Sequence, residues 1–188
     1  MSTIITSIDP GSPAMRAGLQ PGQQLLSING HAVVDVLDYR FYGYDPVSHL
    51  SLKNKDGSTQ KLTIHKAEGE DLGLNFDSYL MDEMRSCANH CIFCFVDQMP
   101  PGMRQTLYFK DDDARLSFLQ GNYITLTNLT EREAQRIIDL RISPINVSVH
   151  TTDPQLHCTM LGNKNAVRSL DYIRAFCKAG IVMNGQIV

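Results

Sequence analysis

Three cysteines within one short stretch, Cys87-Ala88-Asn89-His90-Cys91-Ile92-Phe93-Cys94, constrain this chain more than any other feature of its sequence. Spacings of three and then two residues let all three thiols turn inward from a single loop, the arrangement a metal centre asks of its ligands. A disulfide framework does not account for them, because one thiol of three is always left over and neighbours this close make strained bridges. Two centres stay open. A cuboidal 4Fe-4S cluster normally takes four thiolates, so three would leave one iron open to another molecule. A tetrahedral zinc needs a fourth ligand, and His90 would supply it only if the chain folded back sharply beside Cys91.

The rest of the composition narrows the setting. A chain of 188 residues with 43% hydrophobic content has room for one large domain or two small ones. Seventeen basic against 20 acidic side chains give a net charge of -3 and no electrostatic footprint for nucleic acid. The start, Met1-Ser2-Thr3-Ile4-Ile5-Thr6, has no basic head followed by an apolar run, so it does not read as a secretory leader. No window approaches the ~20 apolar residues of a membrane span. The expected location is the cytoplasm, whose reducing poise suits thiolate ligands better than structural disulfides.

The first seventy residues read as a small β-rich module. A strand is expected over Thr3 to Ile8, then a short helix capped by Ser12 with Pro13 in its first turn and Gly18 at its end. A strand over Gln24 to Ile28 meets the hairpin signal Asn29-Gly30 and returns over His31 to Val33. Asp35 is placed to cap a second helix carrying Val36, Leu37, Tyr39 and Phe41, and two alternating strands follow through Leu50, Leu52, Leu62 and Ile64. Gly11-Ser12-Pro13-Ala14, Ala17-Gly18-Leu19, Gly22 and Leu25-Leu26-Ser27-Ile28-Asn29-Gly30 together resemble PDZ domains. The resemblance implies a peptide-binding loop, and in a permuted arrangement Leu72-Gly73-Leu74-Asn75-Phe76 would be that loop, capturing a peptide C-terminus with its backbone N–H groups. The plainer expectation is that Leu72 to Phe76 completes the sheet. The domain is assigned to residues 1–70, with 71–84 as a connecting segment.

From residue 85 the pattern changes to strands alternating with helices, which implies parallel pairing with right-handed crossovers. Strands are expected over Tyr123 to Asn128, Ile145 to His150 and Ile181 to Val188; helices follow the Thr130/Glu133 capping box, open at Asp153-Pro154 and run from Ala166 to Lys178. Thr125 with Thr127, Asn146 with Ser148 and His150, and Asn184 with Gln186 give each strand one polar face. If helices cover the apolar faces, the polar ones line an interior pocket with Thr127, Asn128 and His150 near its mouth. Asp111-Asp112-Asp113 reads as a helix cap before Ala114 rather than a cation site. Cys177 reads as a buried helix-face residue.

Cys-x3-Cys-x2-Cys with Phe93 before the last cysteine resembles the signature of radical S-adenosylmethionine enzymes. With Phe95-Val96-Asp97-Gln98, Lys110-Asp111-Asp112-Asp113 and Gly121-Asn122-Tyr123-Ile124-Thr125-Leu126-Thr127-Asn128, the chain is similar to a bacterial family without an assigned reaction, in which a PDZ-like module precedes a radical-type barrel and a further C-terminal domain. The fold class implied is α/β plus α+β, a PDZ-like domain followed by a partial parallel (β/α) barrel over residues 85–188, truncated at its C-terminal side with about four strands present. The resemblance implies a 4Fe-4S cluster on Cys87, Cys91 and Cys94, S-adenosylmethionine on its open iron, and hydrogen abstraction from a substrate. It also implies an electron-donor protein, and a cosubstrate site at Thr125, Thr127, Asn128 and His150. The alternative function is a PDZ-like scaffolding protein with structural zinc on the same cysteines.

Overall fold

The computed structural model describes residues 3–188; Met1 and Ser2, where the stretch read as lacking a leader begins, lie outside it. The fold is mixed α/β. It separates into two compact units, Met1–Glu83 and Met84–Val188.

The first unit is β-rich, and local signals set most of its elements. β1 (Ser7–Ile8) leads into α1 (Pro13–Arg16), where the Ser12 hydroxyl accepts from the Met15 N–H at 3.2 Å and Pro13 occupies the first turn. β2 (Gln24–Ile28) turns through Asn29 and Gly30, both left-handed at φ 52° and 84°, into β3 (His31–Ala32). That pair of positive angles gives a two-residue hairpin the twist of its strands. Asp35 caps α2 (Val36–Tyr42) by accepting from the Leu37 N–H at 2.9 Å. β4 (Val47–Lys53) and β5 (Thr59–His65) complete an antiparallel sheet in the order β3-β2-β4-β5. Leu25, Ile28, Leu50, Leu52 and Ile64 point into its core with Ile5, each contributing ~1.5–3 kcal/mol by leaving water.

The N-terminal strand is shorter than its sequence suggests. Only Ser7–Ile8 forms a ladder, with β6 (Leu74–Asn75), while Ile4 makes a single bridge to Gln24. Residues 72–75, expected within a connecting segment, thus carry a strand of the first unit.

The second unit holds a 3-10 turn (Gln105–Tyr108), α3 (Ala114–Gln120), β7 (Tyr123–Ile124), α4 (Glu131–Asp139), β8 (Ile145–Ser148), α5 (Pro154–Leu161), α6 (Val167–Lys178) and β9 (Met183–Gln186). The Asp113 carboxylate caps α3, as the acidic run before Ala114 suggests. The Thr130/Glu133 capping box opens α4, and Asp153 caps α5 through the Leu156 N–H at 2.7 Å.

The three strands form a parallel sheet in the order β7-β8-β9, with Ile124 opposite Val147 and Val147 opposite Gly185. Ile124, Ile145 and Val147 are buried, whereas Asn146 and Asn184 join across the polar face at 2.9 Å. Three parallel strands, not about four, are present among the described residues. Two of them stop early for one reason: Leu126 and His150, just past β7 and β8, both take left-handed backbone at φ 60°, which ends a strand. The buried His157 ring fastens the second of these exits, with Nδ1 at 3.0 Å from the Val149 carbonyl and Nε2 at 2.9 Å from the Ser169 hydroxyl. On α6 the buried seam runs through Ser169, Leu170 and Phe176, so Cys177 is exposed, against expectation.

Candidate metal centre

The cysteine loop is pinned at both ends by backbone. The Cys87 N–H donates to the Lys110 carbonyl at 2.6 Å, and Ser86 bridges Asp111. Farther along, the His90 and Ile92 N–H groups donate to the carbonyls of Leu161 and Met160, both at 3.0 Å, at the end of α5. Gly162 makes that approach possible, since a Cβ there would stand 2.3 Å from the His90 carbonyl oxygen.

Cys87, Cys91 and Cys94 are free and half-buried. Burial, and then the neighbouring thiols of Cys87 and Cys94, push the Cys91 thiol up to about 11. Burial first, and then the Asp112 carboxylate, raises Cys87. Cys91 therefore lies within electrostatic reach of both other sulfurs. Among the described residues, no three His, Cys, Asp or Glu side chains converge on a point as a single-ion site requires. Three half-buried soft donors on one anchored loop are the donor set that a cuboidal cluster takes.

The loop's interior is held by a residue that ligand spacing does not reveal. Asn89 lies between two of the cysteines and is 1% exposed. Its Nδ2 donates to the Thr125 hydroxyl at 2.9 Å; its Oδ1 accepts from the Thr127 hydroxyl at 3.0 Å and from Asn163 Nδ2 at 2.7 Å. Its backbone N–H points at the Cys87 sulfur, 3.4 Å away. Thr125 is bound in turn by Asp112, whose two oxygens accept from its N–H and its hydroxyl, each at 2.6 Å. Burial lifts the Asp112 carboxyl to about 6, against the opposing pull of those Thr125 bonds.

The sequence-predicted polar residues thus meet around this loop. Thr125 and Thr127 point their hydroxyls into the Asn89 network, 2.9 Å from each other. Asn128 donates to the carbonyls of Asp112 and Ser86 at 3.0 and 3.4 Å. The His150 ring packs on Phe93, the aromatic before Cys94, with centroids 4.4 Å apart; burial lowers its pKa, helped by His157. A cavity of about 310 Å³ opens beside Cys87, Asn89 and His90, with Tyr108 and Lys110 on its wall. Asn89, Asp112 and Asn163 were not among the expected site residues. Asn89 had one usable signal, an amide flanked by ligands; Asn163, following a helix-ending glycine, had none.

The expected peptide loop lies in the first unit. Leu72 is buried, and its carbonyl accepts from the Ala14 N–H at 3.0 Å. The Gly73 N–H donates to the Asp71 carboxylate at 2.7 Å, and the Leu74 N–H to the Tyr39 hydroxyl at 3.3 Å. Tyr39 also donates to Asp71 at 2.7 Å, and burial raises its pKa. Asn75 donates to Asp9 at 2.7 Å, while Phe76 meets the Tyr39 ring edge-on at 5.5 Å.

A family model described as a Radical SAM-like domain matches residues 66–188. The chain belongs to this radical SAM-like family. A model described as a PDZ domain matches residues 4–53, so the order read from the sequence, a PDZ domain ahead of the radical SAM-like domain, is the order present. No curated protein matches the chain. The radical SAM-like match contains all three cysteines of the anchored loop, Asn89, and the exits of β7 and β8. It begins before the division at Glu83, so it also takes in β6. No helix among the described residues is long and apolar enough to cross a membrane.

Proposed function

We propose that this radical SAM-like chain carries the cluster-binding part of an S-adenosylmethionine-cleaving oxidoreductase, with Cys87, Cys91 and Cys94 as the three protein ligands of a 4Fe-4S cluster. The observation that carries this reading is the set of three free, half-buried thiols on a loop pinned at both ends. When bound, the cluster would supply one electron to S-adenosylmethionine, giving methionine and a 5'-deoxyadenosyl radical that takes hydrogen from an organic substrate.

The chain's own residues hold and shield that chemistry. Lys110, the end of α5 and the Asn89 network fix the loop's path. Thr125, Thr127, Asn128 and His150 form the cosubstrate side in this reading. The two threonines act through the loop they brace, and His150 acts through its packing on Phe93. The three parallel strands form an arc of a (β/α) barrel whose polar face lines the interior, and an electron-donor protein serves the cluster from outside. In the PDZ domain, a peptide C-terminus would lie along Leu72 to Phe76 once Gly73 and Leu74 are released from Asp71 and Tyr39.

Anaerobic reconstitution tests the ligand assignment. The wild-type chain is expected to take up about four irons and four sulfides, and Cys91→Ala to lose the cluster. A Cys91→Ala chain with the full complement would sink the reading, as would stoichiometric zinc retained through anaerobic purification. Formation of 5'-deoxyadenosine under reducing conditions tests the cosubstrate.

A further inference from the structure

We infer that Asn89 is the positioning residue of the cysteine loop, and that the direction of hydrogen bonding along Asp112, Thr125 and Asn89 is what lets it hold Cys87. Only the last measurement below rests on the cluster reading.

Donors and acceptors can be counted along the network. The two oxygens of Asp112 accept both the N–H and the hydroxyl proton of Thr125. A hydroxyl has one proton, so with its proton on Asp112 the Thr125 oxygen can only accept. It therefore faces a donor, the Nδ2 of Asn89. This fixes which way the Asn89 amide points and turns its Oδ1 toward Thr127 and Asn163, both donors. Asn89 is thereby held from the exit of β7 and from the turn after α5, with its backbone N–H on the Cys87 sulfur. The 2.9 Å contact between the Thr125 and Thr127 oxygens is left without a proton of its own, both being spent on Asp112 and Asn89. Each of the bonds to Asn89 and Asp112 has a donor and an acceptor, and both residues are 1% exposed, so a mismatch there is costly.

The direction predicts a rescue that general packing does not. Asn89→Asp keeps the shape but presents two carboxylates to the single hydroxyl proton of Thr125, leaving one buried oxygen without a donor. Adding Asp112→Asn repairs this by running the network backwards: the new amide at position 112 donates to Thr125, and Thr125 donates to the new carboxylate at position 89. Charge and volume are the same as in wild type.

The readout is iodoacetamide alkylation of the metal-free full chain, followed peptide by peptide, with Cys158 and Cys177 as internal references. Losing one buried hydrogen bond corresponds to about tenfold. Asn89→Asp is therefore expected to alkylate at Cys87 about tenfold faster with the references unchanged, and Asn89→Asp/Asp112→Asn to return within about twofold of wild type. Unchanged Cys87 reactivity in Asn89→Asp, or a double variant as reactive as the single, overturns the inference. If Asn89→Asp does not fold, a folded double variant with wild-type reactivity supports it and an unfolded or fast-reacting one overturns it. These outcomes need no iron, so they stand apart from the ligand assignment. In the reconstituted chain, weakening the N–H bond to the Cys87 sulfur is expected to make the cluster's reduction potential more negative in Asn89→Asp and restore it in the double variant; an unaltered potential overturns that part.

Discussion

Residues 71–75 of the first unit and residues 86–94 of the second are both short loops fastened by backbone bonds, yet they differ in what is left over. In the first, Asp71 and Tyr39 take up the Gly73 and Leu74 N–H groups, and the loop's polar groups are answered by its own neighbours. In the second, Asn89 and the end of α5 answer the polar groups equally well, but three thiols remain free. A loop whose groups are all answered must first let go of its own neighbours before it can hold anything else. One that is rigid and still carries unused soft donors is prepared for something from outside.

Two glycines break this comparison most severely. Each loop depends on one at a close approach: Gly73 at φ 79°, where an added Cβ would stand 2.2 Å from the Ser12 Cβ, and Gly162, past the end of α5, at φ 57° against the His90 carbonyl. Alanine at either combines left-handed strain with a steric clash, together costing roughly 3 to 4 kcal/mol. Peptide-resolved hydrogen exchange should show Gly162→Ala loosening Ser86 to Cys94 and lowering iron uptake. Gly73→Ala should loosen Ser7 to Ile8 and leave iron uptake intact, and a loss of iron there would erase the distinction between the loops.

Acidity should separate the loops next. The Asp112 carboxyl, lifted by burial from its ordinary 3.8 to about 6, binds its proton more tightly in the folded chain than in the unfolded one. Its contribution is therefore present below about pH 4 and is lost as pH rises through about 6, a change of ~3 kcal/mol. Denaturant titrations of the metal-free chain across that window should show Asp112→Asn removing this part of the slope; an identical slope would contradict the assignment.

A smaller effect sharpens the first loop. Tyr39→Phe removes the hydroxyl shared by Asp71 and Leu74 and should cost ~2 kcal/mol in urea unfolding. The smallest has the opposite sign. The Ser48 hydroxyl is buried among the core side chains of β4 without a hydrogen-bond partner, so Ser48→Ala should stabilise the first unit by ~1 kcal/mol.

What could be read in advance follows the range of the forces involved. The Ser12 cap, the Asn29-Gly30 turn and the Thr130/Glu133 box lie within four residues of what they bind, and all three formed as written. The cysteine spacing was legible for the same reason. The strand ends were not. Thr125 and Thr127 alternate like strand residues, but their hydroxyls turn to Asp112 and Asn89, partners 13 and 38 residues away. Cys177 failed more simply, because the buried stripe of α6 passes through Phe176.

The left-handed residues past β7 and β8 carry a geometric consequence. Since Ile124 stands opposite Val147, Leu126 falls level with Val149, one step from His150, and the two strands roll over at nearly the same height. The sheet therefore ends in a common sill instead of a ragged fringe, and a molecule resting across it would touch both strands at one depth.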